Sequence, residues 1–277
     1  MTAAIDSNRL NRYRGQWEFA RGTSSVGSTP TDLQIGRSNT CNFKCVYCVD
    51  HRIGNTKPRT RLSDAAWTDL SALIPQTEIL AFHGISEFFI DPEFFDILKS
   101  CADAKATLRL NTNGSVCTTR HLDALRRYPG RIVIDFSLDA ATPDTFARIR
   151  GWDFWRVVRN IRTFVQCFAE RPASTWAAIS FVITKSNVHE MVPMVSLAKS
   201  LGVDVLTYYT LHDEQYLDWT VEAKHGGRFV YVEETVRNFP EIFNREIERT
   251  RKIADLIGMK IEIPAPIAPT AAEEDET

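Results

Sequence analysis

Apolar positions along this chain follow two patterns in turn. Runs at 32–36, 79–84, 107–111, 131–138, 176–184 and 203–211 are short and rich in Val, Ile, Leu and Phe, as strands buried in a sheet require. Between them lie longer stretches whose apolar residues recur three and four apart, the spacing of one helix face. Strand and helix in regular alternation predict repeated β-α units and a mainly parallel sheet. Six such units predict an α/β fold, a partial (β/α)6 TIM-like barrel, with its chemistry at the C-terminal ends of the strands.

Local chemistry punctuates the same pattern. Asp91 with Pro92, and Thr142 with Pro143, read as helix starts, and Gly202 and Gly258 as helix stops. A long amphipathic helix is predicted over 239–258, followed by the strand-like KIEIPAP. Residues 1–31 are polar, end in GTSSVGSTPT and read as a flexible lead-in, and the acidic AAEEDET at 271–277 lies in a tail, 267–277, too polar to pack. One barrel domain is thus expected over 32–266, with no internal repeat.

Composition narrows the class. The chain has 277 residues, 44% of them hydrophobic and 25% charged, enough for a full core and unlike a disordered or collagenous chain. Lys and Arg number 33 against 35 Asp and Glu, and no basic run stands out, which argues against a nucleic-acid binder. No signal-peptide core and no run of about 18 apolar residues occurs, so neither export nor membrane insertion is expected and the location expected is cytoplasmic.

Three of the six cysteines, Cys41, Cys45 and Cys48, fall in CNFKCVYC directly after the first strand run. In a reducing compartment such a cluster points to metal before disulfides. Three thiolates on so short a loop suit three irons of a 4Fe–4S cluster and leave the fourth open, whereas a plain electron carrier fills all four positions with cysteine. A Cys3His zinc module completed by His51 is the rival of another class.

The C-x3-C-x2-C triplet, with Tyr47 before its third cysteine, resembles that of radical S-adenosylmethionine (radical SAM) enzymes, and four further segments resemble that family in order. In GISEFFIDPEF, Ser86 and Glu87 match the segment that meets the SAM ammonium, although Ile85, Ser86 and Phe88 replace its two glycines and its proline. In NTNG, Asn111 and Asn113 match the polar turn near the SAM ribose. In SLDAATPDTFARIRG, Ser137 and Arg150 match the residues that hold the methionine part, with Asp139 a weaker candidate, and in ISFVIT Val182 matches an adenine contact. The resemblance implies one 4Fe–4S cluster, SAM as cosubstrate and an external reductant such as flavodoxin or ferredoxin.

The resemblance also frames the reaction. Relatives of the SPASM and twitch type carry a cysteine-rich C-terminal extension for auxiliary clusters, and no cysteine follows Cys167 here. A redox-neutral outcome, such as epimerisation or elimination on a small polar metabolite of sugar, aminoglycoside or nucleoside type, is therefore expected. A ribosomal-peptide maturase is the enzyme alternative. Cys117, after NTNG, is the candidate hydrogen donor; Tyr208 and Tyr209, at the end of the sixth strand, are the other catalytic candidates, of which alternation lets only one face inward. The connection 212–234, with Gly226 and Gly227 as a hinge, reads as a lid or a loose surface loop.

Overall fold

The structure, a computed structural model, describes residues 7–48, 60–84, 86–169, 175–211 and 218–268. Strands β1 (Asp32–Gln34), β2 (Ile79–Phe82), β3 (Thr107–Thr112), β4 (Ile132–Ser137), β5 (Thr175–Ile183), β6 (Val205–Thr210) and β9 (Ile261–Glu262) form one sheet in the order β1-β2-β3-β4-β5-β6-β9. Every pairing in it is parallel. The curved sheet is the partial barrel that the apolar pattern predicts, with β9, from KIEIPAP, as a seventh strand on its far edge.

Helices α2 (Asp64–Ser71), α3 (Phe94–Ala102), α4 (Thr119–Arg127), α5 (Pro143–Arg150), α6 (Phe154–Cys167), α7 (Met191–Leu201) and α9 (Pro240–Ile257) occupy the connections. The predicted glycine stops Gly202 and Gly258 follow α7 and α9 in the left-handed region, at φ 74° and 63°, and Gly151, at φ 69°, ends α5 in the same way. The start after β2 is shifted. Helix α3 begins at Phe94 rather than at Pro92, because Asp91 Oδ1 accepts from Glu93 N at 2.9 Å and forms a turn ahead of the helix. Thr142 precedes α5 but turns its hydroxyl to Glu190, at 2.6 Å, rather than back to its own helix.

Alternation along the strands separates two environments. Leu108, Leu110, Ile134, Phe136, Ile179 and Phe181 face the helices and are almost fully buried, forming the main core. The intervening residues face the concave side of the sheet, the barrel lumen. No helix among the described residues is long and apolar enough to cross a membrane.

Two expectations need correction. The lead-in contains a helix, α1 (Ser7–Ala20), with little amphipathic character to announce it. Tertiary contacts hold it: Arg12 reaches Glu78 at 2.7 Å, and Glu18 accepts from Gly27 N at 2.9 Å and from the Ser28 hydroxyl at 2.6 Å. The connection after β6 is likewise built rather than loose. Strands β7 (Thr220–Glu222) and β8 (Arg228–Val230) form an antiparallel hairpin followed by α8 (Tyr231–Glu234), and Gly226 and Gly227, at φ 92° and 91°, make its turn. Trp219, Phe229 and Tyr231 pack with Val46, Ile149 and Leu211 into a second apolar cluster at the barrel mouth, so the glycines serve the hairpin turn and not a hinge. Residues 212–217 of that connection, and residues 269–277 of the expected tail, lie outside the described residues.

The anchoring of α1 is testable through Glu18. Hydrogen bonds from the Ser28 side chain and the Gly27 and Ser28 backbone, with Arg14 alongside, hold its carboxyl down to about 2. A depressed folded-state value stabilises the fold fully above the ordinary carboxyl pKa of about 4.3 and less as pH falls through the folded value. Glu18→Gln should therefore be less stable than the unaltered chain near neutrality, with the difference closing as pH falls toward 2. Urea denaturation over that range checks this; a difference independent of pH would exclude the carboxylate as the anchor.

Candidate functional site

The cysteine loop leaves the C-terminal end of β1 and is pinned from both sides. Val46 N donates to Ile149 O at 3.0 Å, and Cys48 N to Cys45 O at 3.1 Å. Phe43 is buried against Trp152, ring centroids 5.0 Å apart, and edge-on to Phe146. Three N–H groups aim at sulfur: Phe43 N lies 3.4 Å and Asn113 Nδ2 3.7 Å from Cys41 Sγ, and Arg150 Nη1 lies 3.5 Å from Cys45 Sγ. Donors directed at cysteine sulfur stabilise the thiolate and tune a ligated cluster. Burial opposes them, pushing the Cys45 thiol up to about 12 and raising Cys41, so metal must displace protons to bind. The donor set and its N–H surroundings fit an iron–sulfur cluster. No three His, Cys, Asp or Glu side chains among the described residues converge on a single ion; His51, the fourth ligand of the zinc alternative, lies outside them.

Beneath the loop stands Asp139, which is fully buried. Its Oδ2 accepts from the Tyr47 hydroxyl and from Arg150 Nε, and its Oδ1 from Val182 N at 2.8 Å. Asn187 Nδ2 donates to its backbone carbonyl at 2.8 Å and to that of Val182 at 2.9 Å, tying the ends of β4 and β5 together. Burial works against the Arg150 charge, but the Asp139 carboxylate more than restores it and holds the guanidinium above its ordinary pKa. Burial, only partly offset by Arg150, keeps the Tyr47 phenol far from ionising. Four of the proposed residues, Tyr47, Arg150, Val182 and Asp139, thus meet at one point. Arg150 divides its fork between a carboxylate and a cysteine sulfur. Asp139, rated the weaker candidate, is the hub.

Glu87 is also engaged internally. Its carboxylate accepts from Thr112 Oγ1 at 2.8 Å, Asn113 N at 2.6 Å and Phe89 N at 3.1 Å, while its backbone N–H donates to Thr40 O at 2.9 Å. It joins the loops after β1, β2 and β3, and burial raises its pKa despite these donors. Ser86 is half-buried beside it; Ile85 lies outside the described residues. Asn113 Nδ2 also reaches Asn42 Oδ1 at 2.9 Å, and Asn42 in turn donates to the Ser115 hydroxyl at 2.9 Å. The turn depends on Gly114, at φ 69°, where a Cβ would come within 2.9 Å of Val157.

The lumen below holds a cavity of about 580 Å3 whose wall includes Arg109, Asn111, Asp135, Thr207, Tyr209 and Glu262. Asn111 lies in it, register partner of Asp135, and Ser137 is on the same face of β4, paired with Ser180. Tyr209 is half exposed to the lumen and pairs in register with Val182, whose N–H bonds Asp139. Tyr208, its neighbour, points the other way: its hydroxyl donates to Met191 O at 2.6 Å and its ring packs on Phe181, so it is a core residue and leaves the candidate set. Cys117 packs against the main core, close enough to Cys167 at the end of α6 for that thiol to help raise its pKa, and not in the lumen wall. Its position after NTNG pointed to the mouth, but the turn leans onto α6, where Asn160 Nδ2 donates to Gly114 O at 2.8 Å. Asn42, Asp135 and Ser180 escaped sequence reasoning; an acidic residue at every-other spacing in RIVIDFS was the one signal for Asp135.

Comparison with known proteins matches residues 35–198, more than half of the chain, to the model of the radical SAM superfamily. Curated relatives include the AdoMet-dependent heme synthase of Methanosarcina barkeri, 27% identical over 166 residues, which cover 58% of this chain and 45% of that protein. A GTP 3',8-cyclase of Photorhabdus laumondii is 30% identical over 139 residues, covering 47% of this chain and 40% of the other. Among solved structures, Streptococcus suis SuiB bound to S-adenosylmethionine superposes with TM-score 0.66 at 15% identity, over 95% of this chain and 57% of that one. Native anSMEcpe with bound AdoMet superposes with TM-score 0.63 at 18% identity, over 85% and 64%. The chain spans less than half the length of these curated relatives.

The Asp139 hub sets an expectation for stability without any cofactor. Asp139→Ala leaves the Arg150 charge buried and unpaired and should cost about 3–5 kcal/mol, whereas Tyr47→Phe removes one hydrogen bond to a charge and should cost about 1.5–3 kcal/mol. Urea denaturation of the cluster-free chain measures both; equal losses would mean that Asp139 is not what neutralises Arg150.

Proposed function

Because the chain belongs to the radical SAM superfamily, whose cofactors are a 4Fe–4S cluster and S-adenosylmethionine, we propose that it takes a hydrogen atom from a small polar metabolite, of sugar, aminoglycoside or nucleoside type, with a redox-neutral outcome such as epimerisation or elimination. When bound, the cluster and SAM supply a one-electron cleavage whose 5'-deoxyadenosyl product attacks an unactivated C–H bond. Cys41, Cys45 and Cys48 would hold the cluster, with Asn113 and Arg150 directing N–H groups at the ligating sulfurs. Tyr47, Ser86, Asn111, Ser137 and Val182 would line the SAM side, with Glu87 and Asp139 fixing the loops that carry them. A small acidic electron carrier, flavodoxin or ferredoxin, would deliver the electron.

The observation that carries the substrate reading is the lumen cavity. Its volume, about 580 Å3, falls in the range of small-molecule sites, and its wall is polar and charged on both sides. Tyr209, in that wall, is the remaining catalytic candidate. Cys101, Cys117 and Cys167 stand on α3, before α4 and on α6, packed against the main core and away from the cysteine loop, which favours a single cluster among the described residues. A peptide-modifying reading draws on SuiB, solved with its precursor peptide SuiA and superposing over 96% of this chain.

Anaerobic reconstitution should give about four iron and four sulfide per chain. Replacing Cys41, Cys45 and Cys48 together with Ala should abolish iron binding and 5'-deoxyadenosine formation while the far-UV circular dichroism is retained. Iron and turnover that survive the triple replacement would overturn the site. Deuterated amino sugars, sugars and nucleosides then separate the readings: label appearing in 5'-deoxyadenosine supports a metabolite substrate, and label transfer only from a peptide supports a maturase.

A further inference from the structure

One carboxylate in the lumen is only half satisfied. Asp135 sits on β4 between the core residues Ile134 and Phe136 and projects to the opposite, concave face, in the wall of the lumen cavity. Its Oδ2 accepts the Ser180 hydroxyl at 2.5 Å. Its Oδ1 is wholly enclosed yet has no hydrogen-bond partner among the described residues. An enclosed carboxylate oxygen without a donor costs a folded chain free energy, and nothing in the packing of β4 requires an acid there, since Val133 occupies the equivalent position one pleat below. A ligand that brings a donor recovers that cost.

The surroundings specify the donor. On the β4–β6–β9 side of the cavity the polar lining is Asp135, Thr207, Tyr209 and Glu262, with Glu262 accepting from the Thr207 hydroxyl at 3.2 Å. The cations near Asp135 are engaged or lie below it: Arg150 is held by Asp139. Arg109 is on β3, paired in register with Val133, and Arg131 precedes β4 with its guanidinium over the Trp176 ring at 5.7 Å. Two acids on one wall, one of them unpaired and enclosed, suit a cation carried by the ligand far better than a neutral hydroxyl, because a charge-assisted bond alone offsets the desolvation of a carboxylate. Burial holds the Asp135 carboxyl above its usual range, with Asp139 and Glu262 pushing the same way and the Ser180 hydrogen bond and Arg150 opposing them.

We propose that Asp135, positioned by Ser180 and assisted by Glu262, is the anchor for a protonated amino group of the substrate, which makes the substrate an amine-bearing metabolite held in the lumen with its polar body toward Tyr209. This rests on the reading of the lumen as a metabolite site. Binding turns the Asp135 carboxylate enough to open Oδ1 to the amino group while Ser180 keeps Oδ2 held, so the anchor sets which end of the substrate lies deepest and which carbon faces the barrel mouth.

Binding to the SAM-loaded, cluster-reconstituted chain tests this with probes that differ only in one group. D-glucosamine is compared with D-glucose, 3'-amino-3'-deoxyadenosine with adenosine, and Nα-acetyl-lysine methylamide with its norleucine counterpart. At least one metabolite amine should bind about tenfold or more tightly than its hydroxyl partner, the scale of one charge-assisted hydrogen bond. In Asp135→Asn, of the same shape, that preference should fall to within about twofold, and Glu262→Gln should reduce it in part. No amine preference in the unaltered chain, or a preference that survives Asp135→Asn, overturns the proposal; the first comparison needs no variant and stands even if Asp135→Asn fails to fold. Sugars and nucleosides that bind with no amine preference leave the metabolite reading intact and remove the anchor. A preference seen only with the lysine probe and lost in Asp135→Asn keeps the anchor and removes the metabolite reading.

Discussion

A single buried carboxylate, Asp139, organises the catalytic end of this barrel. It accepts from an arginine, a tyrosine and a strand-end amide, so residues from the cysteine loop, the end of β4, the end of α5 and β5 share one charge. A carboxylate in so enclosed a place is tolerable because three donors, one of them a charged guanidinium, converge on its two oxygens. The consequence reaches the cysteines: Arg150, neutralised on one side by Asp139, presents Nη1 to Cys45 Sγ and so brings a fixed positive charge beside a sulfur that must become a thiolate to bind iron.

The same logic repeats at a second point. Glu87 gathers donors from the turn after β3 and holds its own backbone to Thr40, just ahead of the cysteine loop. The text of the family is altered here, with Ile85 and Ser86 in place of two glycines that allow an unusual backbone and Phe88 in place of a proline. Three hydrogen bonds to one side chain, and Phe88 stacked on Phe82 at 4.6 Å, supply rigidity to that loop by other means. Rigid loops around a cofactor site lower the reorganisation demanded when the cofactor arrives.

Between these polar nodes the barrel works as two surfaces. Its outer face is sealed by helices around Leu108, Phe136, Phe181 and Phe243, and its inner face remains polar. The hairpin β7–β8 closes the mouth near the cysteine loop by packing Trp219 and Phe229 against Val46 and Ile149. Lys224 of that hairpin donates to Gly151 O at 3.1 Å, next to the helix that carries Arg150. Hairpin, cysteine loop and α5 thus share one packing unit, so a connection whose sequence reads as a lid or a loose surface loop carries a hairpin that is part of the wall.

The sequence by itself determined the strands and helices of the barrel, because period-two and period-3.6 patterns are local and each element buries the face that its own residues supply. It also placed the three cysteines and the segments around Glu87, Asn113, Asp139 and Val182 at strand ends, since a β-α repeat puts every such loop at the same end of the sheet. Helix α1 was illegible, because its order comes from Glu18 and Arg12 meeting distant partners and not from an apolar stripe. Alternation allowed one of Tyr208 and Tyr209 to face inward, but only the closing of Phe181 and Met191 around Tyr208 decided which. The hub was beyond reach for the same reason: Tyr47 and Asp139 are 92 residues apart and Arg150 and Cys45 are 105 apart, and which polar groups share a buried charge is settled by how loops from separate strands converge in space.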